Sequence, residues 1–261
     1  MSTSRTLFAV EGATASLTFN RPDARNAMTW DMYEALVEAC DRVDDTEAVR
    51  VFVLRGEGGK AFIAGTDISQ FTRFASRDDA IAYERRIDSV IDRLERVSAA
   101  TIAQVQGVAA GGGCAIALAC DLRVCTPNAQ FGIPVARTLG NCLSAANYAR
   151  LLDMIGPSRV KDLLFTGRLV DATEAASLGL VTRMADPSTI DDAVRALTAT
   201  IAANAPLTIR ATKEAVRRIQ ASRRIDAAQA DDLIAMCYSS DDFKEGVAAF
   251  LAKRPPTFKG R

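Results

Sequence analysis

Histidine is absent from this chain of 261 residues, and no other feature of the composition narrows the chemistry as much. Catalytic sites of the Ser-His-Asp and Cys-His types are excluded, and so are metal sites built on imidazole ligands. Any acid–base step therefore depends on Asp, Glu, Tyr, Lys, Cys or a bound water molecule.

Net charge, long apolar runs and paired cysteines are absent as well. Lys and Arg number 32 together, as do Asp and Glu, so nothing predicts attraction to nucleic acid or to an anionic membrane. No apolar run approaches the roughly 20 residues of a membrane span. The polar residues 1–5 are not followed by the apolar segment of a signal peptide. Because the six cysteines include no CxxC pair, we expect reduced thiols in a cytoplasmic protein. The balanced charge and the short apolar runs predict that this protein binds neither nucleic acids nor membranes.

The order of strand and helix patterns predicts an α/β fold. Short strand patterns alternate with helical ones in the first half, and the later part is mainly helical. The predicted C-terminal helices cover residues 189–204, 207–219, 225–237 and 241–252. We therefore predict an α/β core over residues 1–200 and a helical region over 201–261. The basic residues at the end of the chain are either a solvated tail or a contact for phosphate groups.

A first glycine loop follows an apolar segment, where Gly65 precedes Thr66 and Asp67. Glycine permits a positive φ at such a position, and nearby N–H groups are then free to point at a ligand. The alternative is an ordinary turn in which the Asp67 side chain bonds the local backbone.

A second glycine loop opens an alanine-rich helix predicted over residues 112–120. Its consecutive glycines, Gly111, Gly112 and Gly113, let a ligand approach the unpaired N–H groups at the start of that helix. The alternative is that these glycines serve only the close packing of a buried helix. Together the two loops predict an oxyanion hole, in which one N–H from each loop binds a carbonyl oxygen as it becomes enolate-like.

Motifs spread over nearly the whole chain resemble, in their order, the signature of the enoyl-CoA hydratase/isomerase (crotonase) superfamily. The matching segments include Asn20-Arg21-Pro22, Arg25-Asn26-Ala27, Ala64-Gly65, Gly111-Gly112-Gly113-Cys114, Phe131-Gly132 with Pro134, Thr166-Gly167, Gly179-Leu180-Val181 and Phe258-Lys259-Gly260. The resemblance implies a crotonase-like spiral of ββα units, with C-terminal helices that build homotrimers or hexamers. It also implies an acyl-CoA thioester as substrate, with coenzyme A present only as part of that substrate and with no metal.

The resemblance implies roles for individual residues as well. The oxyanion donors would be the N–H groups of Thr66 and Gly112. Coenzyme A would lie along the Asn-Arg-Pro loop and the Ala-Gly strand, and its adenine and phosphate would lie near the C-terminal end of the chain. The residues that match these positions are Ala24, Arg25, Ala27, Lys60, Ala64, Asp67, Ile68, Phe250 and Lys253.

The chain departs from the family at the two glutamates with which enoyl-CoA hydratases hold and activate water. Ala115 occupies one position, and Val135 occupies the other, or Ala136 if the gap is placed differently. A general acid or base contributes about 10²- to 10⁴-fold to a rate. We therefore expect classical hydration to be crippled.

A polar cluster after the second position offers substitutes for the missing acids. Arg137 could hold a carboxylate of the acyl group, or it could pair structurally with an acid of the 70–90 segment. Asn141 or Thr138 could bind a water molecule.

A helix predicted over residues 78–97 offers carboxyl groups from the opposite wall. Glu84 and Asp88 are four residues apart and therefore share one face. Asp88 either points into the acyl pocket with a raised pKa or lies at a solvated helix edge.

Two functions remain open on this evidence, and a third is weaker. The first is an acyl-CoA or enoyl-CoA enzyme that stabilises a thioester enolate. Its reaction would be isomerisation, decarboxylation or hydration of an unusual substrate. The second is a CoA-thioester-binding protein without chemistry, which a cavity lined only by apolar groups would favour. A purely structural helical assembly protein would leave the two glycine loops unexplained.

Overall fold

From β3 to β8, consecutive strands alternate between two sheets, as expected for a spiral of ββα units. The computed structural model describes residues 4–74 and 76–261. Numbered in chain order, the strands are β1 Thr6–Glu11, β2 Thr14–Phe19, β3 Val51–Gly56, β4 Ala61–Ile63, β5 Ala100–Val105, β6 Val108–Ala110, β7 Leu122–Cys125, β8 Gln130–Gly132, β9 Val170–Asp171 and β10 Arg183–Met184. One sheet has the order β1-β2-β3-β5-β7-β10 and the other the order β4-β6-β8-β9. The pairs β3/β4, β5/β6 and β7/β8 each place one strand in each sheet, so the predicted fold class is confirmed.

The central strands of the larger sheet are buried on both faces. Residues 51–54 of β3 and all of β5 are buried, and the two strands pair in parallel. Parallel strands covered on both sides are typically continuous apolar runs, which explains the composition of β3. One face packs on the main core, and the other packs on a helix through Ile190, Val194 and Leu197.

Ten helices follow the strands or cover them within the described ranges. They are α1 Trp30–Asp45, α2 Arg77–Glu95, α3 Gly112–Ala119, α4 Val135–Thr138, α5 Ala145–Thr166, α6 Ala172–Ser177, α7 Ile190–Ala202, α8 Pro206–Ala221, α9 Asp231–Tyr238 and α10 Asp241–Leu251. Among the described residues, no helix combines the length and the apolar character that crossing a membrane requires.

The last helices close over the first half of the chain. Ile234, Tyr238, Phe243 and Val247 of α9 and α10 are buried in the same core as the sheets and α2. The predicted helix over 225–237 is wrong in its first part, because residues 227–230 form a 3-10 turn and α9 begins only at Asp231. The division near residue 200 stays a prediction, but α9 and α10 contribute directly to the wall of the site.

Candidate active site

The two glycine loops meet at the ends of neighbouring strands. β4 and β6 pair in parallel, and each leads into one of the loops. Gly65 has a φ of +126° and Gly111 a φ of +53°, conformations that L side chains rarely adopt. A Cβ atom on Gly111 would lie 3.7 Å from the Cα atom of Gly65. The loops are therefore in contact, as an oxyanion hole shared between them requires.

The backbone pairing of the two loops does not engage the N–H groups of Thr66 and Gly112. Thr66 bridges Met28 in parallel, through bonds from Met28 N to Gly65 O and from Asp67 N to Met28 O, both of 2.9 Å. In that pattern the N–H of Thr66 itself points away from the pairing. Gly112 is the first residue of α3, where an N–H has no partner within the helix. These are the two N–H groups that the family resemblance implies as oxyanion donors, and that role stays a prediction.

The second loop satisfies the packing alternative at its third glycine. A Cβ atom on Gly113 would lie 2.1 Å from the backbone oxygen of Ile63, so this position has no room for a side chain. Asp67 likewise makes the predicted turn contact, accepting from Ser69 N at 3.2 Å. The structural alternatives therefore hold at Gly113 and Asp67, and ligand binding by the two loops stays a prediction.

Two tyrosines that the sequence did not single out fix the side chain of Thr66. Tyr33 Oη lies 2.8 Å from Thr66 Oγ1, and Tyr83 Oη donates to the same atom at 3.3 Å. Burial raises the pKa of both phenols, so they stay protonated. A Cβ atom on Gly112 would lie 2.7 Å from Tyr33 Oη, so there is no room for a side chain between this glycine and the tyrosine.

A cavity of about 150 Å³ lies beside the two loops. Its wall is largely apolar, with contributions from α2, from the segment after β8 and from α9. Its polar lining residues include Thr66, Tyr83, Glu84, Thr138, Asn141, Asn147 and Tyr238. A small apolar chamber with a few convergent polar groups is typical of a substrate site.

Glu84 is the acidic residue in the wall of this cavity. Its carboxylate accepts a short hydrogen bond from Tyr238 Oη, which in turn accepts from Asn141 Nδ2 at 3.0 Å. The three side chains come from α2, from α9 and from the segment between α4 and α5. The carboxyl group is thereby held in one orientation inside the site.

Burial sets the protonation of this carboxyl group. Removal from water raises the pKa of Glu84 to about 8, and the charge of Asp88 adds to the rise. Hydrogen bonds from Tyr238 and from the backbone of Ser144 oppose the shift without cancelling it. Near neutral pH, Glu84 therefore exchanges between an acid and a base, as a proton-transfer catalyst must.

The raised pKa has a consequence for stability, which we predict falls as pH rises between about 5 and 8. In the unfolded chain a glutamate ionises near a pKa of about 4.3, whereas folded Glu84 holds its proton up to a pKa of about 8. The native state therefore binds more protons in this window, and rising pH favours unfolding. Urea unfolding at about pH 5 and about pH 8 should show that the free energy of unfolding falls by about 3 kcal/mol more in wild type than in Glu84→Gln. Equal losses in the two proteins would contradict the raised pKa.

The positions of the absent hydratase glutamates lie in the same cavity. Ala115 on α3 and Val135 at the start of α4 both line it, whereas Ala136 is exposed. Neither lining residue carries a group that titrates or binds water. The part of the wall where a hydratase-type pair is expected is therefore apolar here.

Asp88 and Arg137 are not brought into the cavity lining. Asp88 is half-buried and accepts from Ser144 Oγ at 2.7 Å, and burial raises its pKa. Arg137 is exposed, and its Cβ atom would contact a side chain at Gly167. Within residues 4–74 and 76–261, none of the ion pairs involves Arg137, so it pairs with no acid of the 70–90 segment either. Of the five polar candidates, Glu84, Thr138 and Asn141 line the cavity.

The predicted CoA-binding residues lie in two groups around the mouth of the site. Ala64, Ile68 and Phe250 line the cavity, with Phe250 contributed by α10. Ala64 N donates to Arg25 O at 3.0 Å, and this hydrogen bond joins the cavity wall to the turn that contains the second group of residues. The exposed side chains of Phe250 (52% accessible) and of Lys253 leave this end of the chain open to a ligand.

The second group is a left-handed turn beside β4. Arg25 and Asn26 have φ values of 50° and 58°. Asn26 Nδ2 donates to Ala61 O at 2.9 Å, so the turn containing Ala24 and Ala27 is fixed against the strand. Lys60 is exposed next to this turn.

Asp67 at the edge of the same turn is already engaged within the protein. Its carboxylate pairs with Arg21 at 2.8 Å. These contacts lower the pKa of Asp67 against the opposing effect of its burial.

A two-sheet spiral of ββα units, with two glycine loops meeting beside an apolar cavity, defines a protein of the crotonase class. Comparisons with known proteins agree. The family model described as enoyl-CoA hydratase/isomerase matches residues 10–261. The chain therefore belongs to the enoyl-CoA hydratase/isomerase family and is an enzyme of that family.

Named relatives and solved structures cover almost the entire chain. A short-chain-enoyl-CoA hydratase from Clostridium acetobutylicum is 32% identical over 245 residues, 94% of this chain and 93% of its own. A crotonyl-CoA hydratase from Syntrophomonas wolfei is 33% identical over 249 residues, 94% of each chain. The crystal structure of an enoyl-CoA hydratase/carnithine racemase from Magnetospirillum magneticum superposes with a TM-score of 0.80 at 33% identity, covering 100% of this chain and 97% of that one. A methylmalonyl-CoA decarboxylase shares the fold, with a TM-score of 0.91 at 23% identity over 100% of both chains.

Proposed function

We propose that the chain catalyses proton transfer at the carbon next to the carbonyl of a short acyl-CoA thioester, with Glu84 carrying the proton. The observation that carries this proposal is the buried Glu84 carboxyl, held in the cavity by Tyr238 and raised in pKa to about 8. Relatives at 32% and 33% identity are named as enoyl-CoA hydratases, which supports an enoyl-CoA as substrate.

The oxyanion hole is the second element of the proposal. The N–H groups of Thr66 and Gly112 bind the thioester oxygen and stabilise the negative charge that develops when the neighbouring carbon loses its proton. Loss of one such donor typically costs about 10²- to 10³-fold in rate. Tyr33 and Tyr83 support this geometry through Thr66.

One carboxyl group favours isomerisation over hydration. In isomerisation of a 3-enoyl thioester to a 2-enoyl thioester, Glu84 takes a proton from the second carbon and returns it to the fourth. The double bond moves, and no atom is added or lost. Hydration needs one group to activate water and another to protonate carbon, and Ala115 and Val135 supply neither.

The cavity favours a short and uncharged acyl chain. Its volume of about 150 Å³ is below the range of about 300–1,000 Å³ common for larger ligands. Arg137 lies outside the lining, so it is not placed to hold a carboxylate on the acyl group.

Coenzyme A and a second copy of the chain are the proposed partners. The mouth formed by Ala64, Ile68 and Phe250 would hold the pantetheine end, with Lys253 near the phosphates. Helix α8 buries none of its residues and exposes Leu207, at 77% accessible. This exposed apolar face supports the homotrimer or hexamer that the family resemblance implies.

A non-catalytic CoA-thioester-binding protein is the alternative, and the cavity argues against it. A pure binding site for an acyl chain has no need of a buried acid, which is costly to desolvate. Glu84, Asn141 and Tyr238 instead converge on the chamber beside the oxyanion loops.

Product analysis with two thioesters tests the proposal. With but-3-enoyl-CoA we expect conversion to crotonyl-CoA. With crotonyl-CoA we expect hydration with a kcat/KM far below the efficient range of about 10⁶ M⁻¹s⁻¹ and above. Chromatography of the CoA esters measures both reactions, with Glu84→Gln as the matched control. Efficient formation of 3-hydroxybutyryl-CoA without isomerisation would overturn the proposal.

A further inference from the structure

Two cysteines lie close together beside the acyl cavity, and one of them lines it. Cys142 is buried and lines the chamber, and its thiol lies 3.5 Å from Leu233 O on α9. Cys237 is half-buried on the same helix, one turn after Leu233, which places its thiol close enough to interact with that of Cys142. The two positions are 95 residues apart in the chain (237 − 142) and are joined only by the fold.

The neighbours of these cysteines are residues of the proposed site. Asn141 precedes Cys142, and Tyr238 follows Cys237. The hydrogen bond from Asn141 Nδ2 to Tyr238 Oη, at 3.0 Å, runs beside the thiol pair. Any change in the distance between the two thiols therefore also changes the arrangement around Glu84.

The pair differs from the other thiols in reactivity. Burial raises the pKa of Cys40, Cys114 and Cys120 to about 12 and that of Cys125 to about 11, so these thiols stay protonated. The interaction with the Cys142 thiol lowers the pKa of Cys237 to about 7, despite its partial burial. A thiolate is the reactive form towards oxidants, and Cys237 is the accessible partner of the pair.

We propose that Cys142 and Cys237 form a reversible disulfide that closes the acyl cavity under oxidation by hydrogen peroxide. The Cys237 thiolate attacks one peroxide oxygen, the O–O bond breaks, and a sulfenic acid and hydroxide result. The Cys142 sulfur then attacks the sulfenic sulfur. The S–S bond forms, the S–O bond breaks, and the hydroxyl group leaves as water with the Cys142 proton. Two thiols are oxidised and one peroxide molecule is reduced.

The disulfide would draw α9 towards the segment that carries Asn141. An S–S bond is about 2.05 Å long and requires Cβ atoms about 3.8 Å apart. The two sulfur atoms must therefore come closer together than two sulfur atoms in non-bonded contact. Tyr238 moves with Cys237, so its bonds to Asn141 and Glu84 must rearrange and the chamber narrows. This inference goes beyond the proposed function and does not depend on which proton transfer the site performs.

Mass spectrometry of the whole protein tests the bond itself. After peroxide treatment we expect a loss of two hydrogens, a peptide linking positions 142 and 237, and full reversal by a phosphine reductant. Cys237→Ser and Cys142→Ser should each abolish the bond, and Cys125→Ser should not. Absence of the linked peptide, or a disulfide between two copies of the chain, would overturn the proposal.

Two further readouts test closure of the cavity. Hydrogen exchange in residues 139–144 and 231–238 should slow in the oxidised protein, with or without ligand. Calorimetry with butyryl-CoA should show Kd rising at least tenfold on oxidation and recovering on reduction. Unchanged exchange, or an unchanged Kd in a fully oxidised sample, would contradict closure. Failure of the reduced protein to bind butyryl-CoA would instead count against the proposed function, and the mass and exchange results would still decide the disulfide.

Discussion

Glu84→Gln is expected to lower kcat/KM for isomerisation of but-3-enoyl-CoA by about 10²- to 10⁴-fold, the usual contribution of a general acid or base. The amide has nearly the same shape as the protonated carboxyl group, so the hydrogen bond with Tyr238 and the fold should persist. KM should change little, because the lost group acts on the reacting carbon rather than on CoA binding. In wild type, kcat/KM should rise with pH towards the Glu84 pKa of about 8, since the ionised form is the base.

Asp92→Asn is the matched control for this prediction. Asp92 is on the same helix, outside the cavity, and pairs with Arg96 at 2.7 Å. Its conversion to an amide should leave both kcat/KM and the pH profile close to wild type. A Glu84→Gln enzyme with wild-type kcat/KM would exclude Glu84 as the proton carrier.

Gly112→Ala is expected to lower kcat by about 10²- to 10³-fold, the cost of losing one oxyanion donor. The added Cβ atom would lie 2.7 Å from Tyr33 Oη and 3.0 Å from Thr66 Oγ1. Both neighbours are buried or partly buried, so the glycine loop must shift and carry its N–H away from the substrate oxygen. Binding of a saturated acyl-CoA should weaken much less than kcat falls.

Tyr33→Phe provides the control for the oxyanion prediction. The single variant should lose little activity, because Tyr33 does not line the cavity and Tyr83 still donates to Thr66 Oγ1. Combined with Gly112→Ala, it removes the nearest clashing atom and should recover part of the lost kcat. A double variant no better than Gly112→Ala would show that the clash with Tyr33 is not the cause of the loss.

Much of the frame of this enzyme can be predicted from local sequence. Helix α2 covers almost the predicted range of residues 78–97, because an apolar stripe follows a capping residue at its start. The two glycine loops are also recognisable, because each follows an apolar strand segment and requires a backbone that other residues resist. The strands of the second sheet are harder to predict, since β8 has three residues and β9 only two.

The hydrogen-bonded polar residues of the site depend on long-range contacts, which local sequence patterns do not predict. Tyr238 and Glu84 are 154 residues apart, and their hydrogen bond exists only because α9 packs on α2. The chain has only four tyrosines and no histidine, so each buried tyrosine is one of few side chains that can take part in acid–base or hydrogen-bonding chemistry. That scarcity was the available signal for Tyr33, Tyr83 and Tyr238.

Position along a helix, as well as its phase, explains why neighbouring candidates have different surroundings. Glu84 and Asp88 are one turn apart on α2, yet only Glu84 lines the cavity, because the helix axis leads Asp88 towards Ser144. Arg137 belongs to the four-residue helix α4, where a position shift of one residue decides between cavity and solvent. Spacing predicts a shared face, but it does not fix how deep each side chain lies.

Incorporation of deuterium at the carbon next to the thioester carbonyl is the most direct test of the central claim. Butyryl-CoA incubated with the enzyme in D₂O would be analysed by mass spectrometry, with the enzyme-free sample as background. The account predicts exchange of these protons by wild type and its near loss in Glu84→Gln. Absence of exchange in wild type, or equal exchange in the two proteins, would contradict enolate formation by Glu84.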